Sequence, residues 1–249
     1  MASPQKFYVQ EISRKTNYRA NWLPDKPMNI GDVGKLEDGI FTLYTTLEHE
    51  GIPMTVRESS SSLDLDYTSN DSVKISHGLE SNVSAGSPLA KGRVVLKIEF
   101  QKSEGVVFQM TDSKKIIIEN LGDIENEILD RYKKKIWNLN WVVVTEVVKT
   151  DSATIIINTS AINNLEFEVT GKAQIQSVNL ADSGLGLRLL KESGTSTKMI
   201  AKTGLTPLYV AKGISDPLIG KTKFRGADAY RGIQFNNLRE IRFNPSEIE

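Results

Sequence analysis

The sequence predicts an α+β fold: a twisted, mostly antiparallel sheet with a few packed helices and two long amphipathic hairpin regions. Three observations predict it. A helix-periodic segment from Leu121 to Ile136 runs into a β-branched stretch, Val142-Val143-Val144 and Val147-Val148, that is apolar on both faces. Two blocks, roughly residues 72–110 and 153–191, alternate apolar and polar side chains with the period of a strand. Shorter apolar runs are punctuated by Gly31, Gly34 and Gly39.

In chain order, residues 5–20 predict a short helix, with Phe7, Val9 and Ile12 near one face and Arg14, Lys15 and Arg19 on the others. Pro24 and Pro27 make the next stretch irregular. Ile30–Val33 and Ile40–Tyr44 read as short strands, and the Ser-, Asp- and Asn-rich residues 58–72 as a loop or hairpin tip. Ser72–Ser76 and Leu79–Ala85 read as a looser strand pair. Val94, Leu96, Ile98 and Phe100 then stand in alternate positions. After Lys102-Ser103-Glu104-Gly105 the row resumes at Val106, Phe108 and Met110, which predicts a hairpin with one apolar face.

Leu121, Ile124, Ile128, Leu129, Tyr132 and Ile136 form the stripe of the second helix. Asp123 is placed to cap it, Glu125 and Glu127 suit its first turn, and Lys133, Lys134 and Lys135 its last. The valine-rich strand that follows carries Glu146 at its middle, which is costly to bury unless paired or exposed at an open face. Lys149-Thr150-Asp151-Ser152 reads as a polar turn before a strand from Ala153 to Asn158. Leu165, Phe167 and Val169 alternate with Glu166, Glu168 and Thr170. Gly171, Ala173 and Ile175 continue the row, and Leu185, Leu187 and Leu189 resume it. Ordinary half-buried strands share this pattern with membrane-spanning ones.

At 249 residues, with no dividing linker, the chain suits one large domain, its last ~25 residues reading as a tail. Its 31 bases and 31 acids give no nucleic-acid signature, although residues 1–30 are mildly basic through Lys6, Arg14, Lys15, Arg19 and Lys26. Without cysteine there are no disulfides, zinc–thiolate sites or thiol chemistry. No apolar run approaches the ~20 residues of a spanning helix, and the N-terminus lacks a signal core, so a cytoplasmic protein is expected. Gly213 to Thr222 misses the phosphate-loop pattern, with Ser215 where the first Gly belongs and Pro217 inside. His49 and His77 read as surface residues in separate polar loops, and the carboxylates are not paired as acid and base. Neither an enzyme nor a cofactor is indicated.

The acidic-then-basic helix running into Val143-Val144-Thr145-Glu146-Val147, followed by a polar turn and a β-branched strand, resembles the pore-forming domain of the gasdermins, in the compact form of fungal or bacterial members. The specific match covers roughly 40 residues, and a looser match of strand order most of the chain. The resemblance implies a cytoplasmic protein that relocates to the plasma membrane, binds acidic phospholipids and assembles into a homo-oligomeric ring, restrained either by a short C-terminal regulatory tail or by a related partner chain. It implies a large β-barrel pore and lytic cell death. Lys6, Arg14, Lys15 and Arg19 would meet lipid headgroups. Val94, Leu96, Ile98, Phe100, Leu165, Phe167, Leu185 and Leu187 would lie on the inserting hairpins. A soluble α+β binding or scaffold protein whose hairpins never leave the sheet is the alternative.

Overall fold

Pro4 opens the first helix, at the position where a missing N–H costs nothing, and α1 runs Pro4–Thr16. The computed structural model describes residues 4–26, 28–37, 39–59, 63–69, 72–80, 93–159, 163–170, 180–181, 186–193, 196–201, 204–214 and 238–240. Tyr8, Val9 and Ile12 form the buried stripe of α1, while Arg14 and Lys15 occupy its last turn, where cations suit the negative end of the helix dipole. The helix ends sooner than the expected 5–20. Asn17 adopts the left-handed region (φ 62), which asparagine tolerates better than most residues, and the Thr16 hydroxyl bonds back to the Ile12 carbonyl.

Strands β1 (Arg19–Ala20), β2 (Asp32–Glu37), β3 (Ile40–Thr46), β4 (Val56–Glu58), β5 (Leu63–Thr68), β6 (Val73–Glu80), β7 (Arg93–Phe100) and β8 (Gly105–Ile118) precede helix α2 (Leu121–Lys133). After it come β9 (Val142–Thr150), β10 (Ser152–Asn158), β11 (Asn163–Thr170), β12 (Gly186–Ser193), β13 (Ser196–Ala201), β14 (Leu205–Ile214) and β15 (Leu238–Glu240). Every described pairing is antiparallel. The fold is therefore the α+β architecture that the patterning predicts. Two compact units divide the chain: Met1–Tyr8, Ser61–Ser113 and Thr150–Leu205 form one, and Val9–Ser60, Lys114–Lys149 and Thr206–Glu249 the other.

In the second unit β9 carries both cores. Val143 packs with Val33, Leu47, Ile52 and the α2 residues Ile124, Ile128 and Leu129. Val142, Val144 and Val147 pack instead with Met28, Phe41, Tyr209 and Ala211. That double burial is why the strand reads as apolar on both faces. Asn120, not Asp123, occupies the N-cap position of α2, and its side chain is used elsewhere: it accepts from Thr55 N at 2.8 Å and donates to the Pro53 carbonyl at 3.1 Å. The helix closes with Lys135 at φ 62, Lys135 N bonding the Tyr132 carbonyl and Ile136 N the Arg131 carbonyl. Ile136 thus lies past the stripe and is 62% exposed, not buried as its spacing suggests.

In the first unit β8 lies between β5 and β10, with β13 beyond β10. A separate four-stranded sheet has the order β12-β11-β7-β6. The hairpin expected from 93–101 and 106–110 is not made: β7 pairs with β6 and β11, whereas β8 belongs to the other sheet. Alternation shows that both segments have an apolar face, but two faces can meet across layers as well as side by side. At the crossing the Phe100 ring stands 2.5 Å from where a Cβ on Gly105 would be, so only glycine fits there. The looser pair expected at 72–85 is instead the single strand β6, with residues 81–85 outside the described residues. Nor does Lys149–Ser152 reverse the chain into a hairpin, since β9 and β10 each pair with a different stretch of β8.

Candidate functional site

The four-stranded sheet gathers part of each alternating block, 73–80 with 93–100 and 163–170 with 186–193, into one surface. Its central pair sets Val94 beside Val169, Leu96 beside Phe167, Ile98 beside Leu165 and Phe100 beside Asn163. On the outer strands Val73, Ile75 and His77 stand opposite Phe100, Ile98 and Leu96, and Leu187 and Leu189 opposite Val169 and Phe167. Because side chains alternate across a strand, these residues share one face, interrupted by His77 and by the buried Asn163. Leu96, Ile98, Phe100, Leu165 and Phe167 are all but fully buried, packed with Val107 of β8, Ile156 of β10 and Leu180. Leu187 is half-buried. The side chain of Val94 and the whole of Leu185 lie outside the described residues.

The opposite face is mostly charged, with Val95 buried within it. Lys74 pairs in register with Glu99, Lys97 with Glu166, and Glu168 with Arg188. Lys97 Nζ lies 3.6 Å from Glu166 Oε1, and Arg188 Nε donates to Glu168 Oε2 at 2.7 Å. Opposite charges on neighbouring strands favour this register and make a slipped one costly. β6 and β12 are the two ends of this sheet.

The four basic residues expected to meet headgroups are not equivalent. Arg14 and Lys15 are exposed, and Arg14 pairs with Glu11 one turn back. Lys6 is half-buried in the first turn. Arg19 leaves the set: it lies in β1, paired in register with Tyr209, and only 3% of it is exposed. The helix stops before it, so it does not continue the basic face.

Two features escaped the sequence. On β3, Tyr44 falls at a bulge, since Val33 pairs with Thr45 and Gly34 with Leu43. Consecutive Leu43 and Tyr44 are therefore both 52% exposed, with Lys35 Nζ 4.9 Å above the Tyr44 ring. The glycine-punctuated apolar run was the signal, but a bulge shows only in the register. The second is the resolution of Glu146. Its carboxylate accepts the Tyr18 hydroxyl and lies 3.8 Å from Lys115 Nζ. Burial first, then the bond and charge of Glu146, hold the Tyr18 phenol above its ordinary range.

A cavity of about 550 Å³ lies between β5, β6 and β8, lined in part by Asp66, His77, Gln109 and Met110. His77 is exposed on β6, not in a loop, and the near phosphate-loop segment is described only at Gly213 and Ile214. Among the described residues no group of three His, Asp or Glu side chains could hold a metal ion, and no helix is long and apolar enough to cross a membrane. No family model matches this chain, and neither does any curated protein.

Proposed function

We propose that this protein forms membrane pores: it binds acidic phospholipids, assembles as a ring of copies and inserts β6–β7 and β11–β12 to line a β-barrel. The observation that carries this reading is the four-stranded sheet with one apolar and one charged face and an end strand at each side. A bilayer admits strands only in a closed barrel, with apolar side chains to lipid and polar ones to the lumen. Four antiparallel strands per copy meet that need. β12 runs opposite to β6, so setting β12 of one copy beside β6 of the next continues the alternation around a ring. Each of the four strands has 8 residues against the 9–11 of a spanning strand, so insertion requires them to lengthen. Leu43, Tyr44 and Lys35, with Arg14 and Lys15, supply aromatic, apolar and cationic groups suited to an anionic interface.

The alternative, a soluble binding or scaffold protein, is favoured by the near-complete burial of Leu96, Ile98, Leu165 and Phe167, which is equally the core of a permanent two-layer unit. Dye release from vesicles containing phosphatidylserine separates the two. Pore formation expects release that depends on anionic lipid. It also expects Lys97→Glu with Lys74→Glu to alter ion selectivity in planar bilayers while leaving the monomer folded. No release from anionic vesicles over a wide protein concentration range would favour the scaffold.

A further inference from the structure

We infer that Leu180 and Ala181 form a latch that holds the β11–β12 connection onto β8 and β10, and that this latch opens before the hairpin can leave its seat. The seat is written across the strands. Val107 of β8 pairs with Ile156 of β10; two residues along, Gln109 pairs with Thr154, and two further, Thr111 with Ser152. One face of this strand pair is therefore apolar at one end and polar at the other. Leu180 spans the change. Its side chain joins the apolar cluster with Val107 and Ile156, while its main chain lies on the polar rungs.

Both main-chain groups of Leu180 are taken up there. Its N–H donates to Gln109 Oε1 at 2.8 Å, and its carbonyl accepts from Thr154 Oγ1 at 2.7 Å. The Ala181 carbonyl accepts from Thr111 Oγ1 at 3.0 Å. Gln109 is fixed at its other end, donating from Nε2 to Asp66 Oδ1 of β5 at 2.7 Å. Leu180, Ala181, Gln109 and Thr154 are buried, so water does not replace these partners while the seat is closed.

A polar row on a sheet otherwise rich in Val and Ile is costly unless something matches it. Here the match is the backbone of one dipeptide lying in sequence between the two strands of a hairpin. Such bonds are also easily opened. Each neutral hydrogen bond shifts an equilibrium by only about fivefold net, whereas an all-apolar seat would hold by area and release less readily.

The test is amide hydrogen exchange on the full chain, wild type against Thr154→Val, with Thr154→Ser as the variant that keeps the hydroxyl. Thr154→Val is expected to speed exchange at Leu180 about fivefold and to speed the β11 and β12 amides by a similar factor, leaving the β8–β10 ladder unchanged. Thr154→Ser is expected to match wild type. Acceleration at Leu180 alone, with β11 and β12 unmoved, overturns the latch. Should Thr154→Val not fold, Thr111→Val, at a half-buried position, gives the same two outcomes. The link to insertion rests on the pore reading above and is tested separately with phosphatidylserine vesicles. There Thr154→Val should release dye several-fold faster than wild type, and equal rates overturn the gating role. If neither protein releases dye, the pore reading fails, and the exchange pattern still decides whether the latch exists.

Discussion

The hydroxyl of Tyr18, just past the end of α1, donates its hydrogen bond to the carboxylate of Glu146 in the middle of β9. Lys115 of β8 completes the group, its Nζ 3.8 Å from that carboxylate and 5.5 Å from the Tyr18 ring centroid. An acid in a valine strand thus holds the chain that follows α1 against two central strands.

Tyr18→Phe should lower stability by about 1 kcal/mol at neutral pH, below the usual range for a bond to a charged group because the site is half-exposed and solvent screens it. The phenol's folded pKa lies above its ordinary 10.0, so the folded chain holds the proton more tightly than the unfolded one. The stability this gives is complete below pH 10.0 and is lost as pH rises through the higher folded value. Urea midpoints between pH 8 and 11.5 should fall more steeply for wild type than for Tyr18→Phe. Parallel curves would show that folding does not raise the pKa of this phenol. Tyr8, whose phenol burial also raises, is present in both proteins and cancels.

Val147→Asp should prevent folding. The side chain is fully buried in an apolar cluster with Val142, Val144, Phe41 and Tyr209, where a carboxylate would lose its hydration. A cooperative melt within a few degrees of wild type would refute this placement of the residue.

Gly34→Ala should destabilise by about 1–3 kcal/mol, the usual cost of overpacking. A Cβ at Gly34 would stand 2.1 Å from the Thr42 carbonyl oxygen, and backbone of the partner strand yields less readily than a side chain. Thermal melting of this single variant is enough to check it.

Lys6→Glu, Arg14→Glu and Lys15→Glu together should abolish sedimentation with phosphatidylserine vesicles at low salt, while raised salt should weaken wild-type binding. Leu43→Ser with Tyr44→Ser should weaken it without changing its salt dependence. Arg19→Glu should instead reduce folding, because that residue is buried in β1. Undiminished vesicle binding by the triple variant would remove α1 from the proposed lipid surface.

Elements were legible where one strong pattern fixed them. The β-branched run from Val142 to Val148 could only be a doubly covered strand, and the Leu121–Leu129 stripe only a helix. Pairing was not legible, because alternation states that Val94–Phe100 and Val106–Met110 each have an apolar face and is silent on which strand lies beside which. Arg19 was misplaced for a related reason: nothing in its own chemistry distinguishes the last turn of a basic helix from a buried strand. The bulge at Tyr44 and the seat of Leu180 depend on partners far away in sequence, and no local window contains them.

The middle of the four-stranded sheet joins β7 to β11, and β8, α2, β9 and β10 are all made between them. A chain emerging from the ribosome therefore completes the first hairpin long before its neighbour exists. Through that interval one edge of β7 and the apolar row of Leu96, Ile98 and Phe100 await cover, the condition in which unfinished strands find wrong partners. Pairings distant in sequence close late. A seam that stays open through that interval is thus internal to the element proposed to travel, and a chaperone that shields β7 should raise the yield of folded protein.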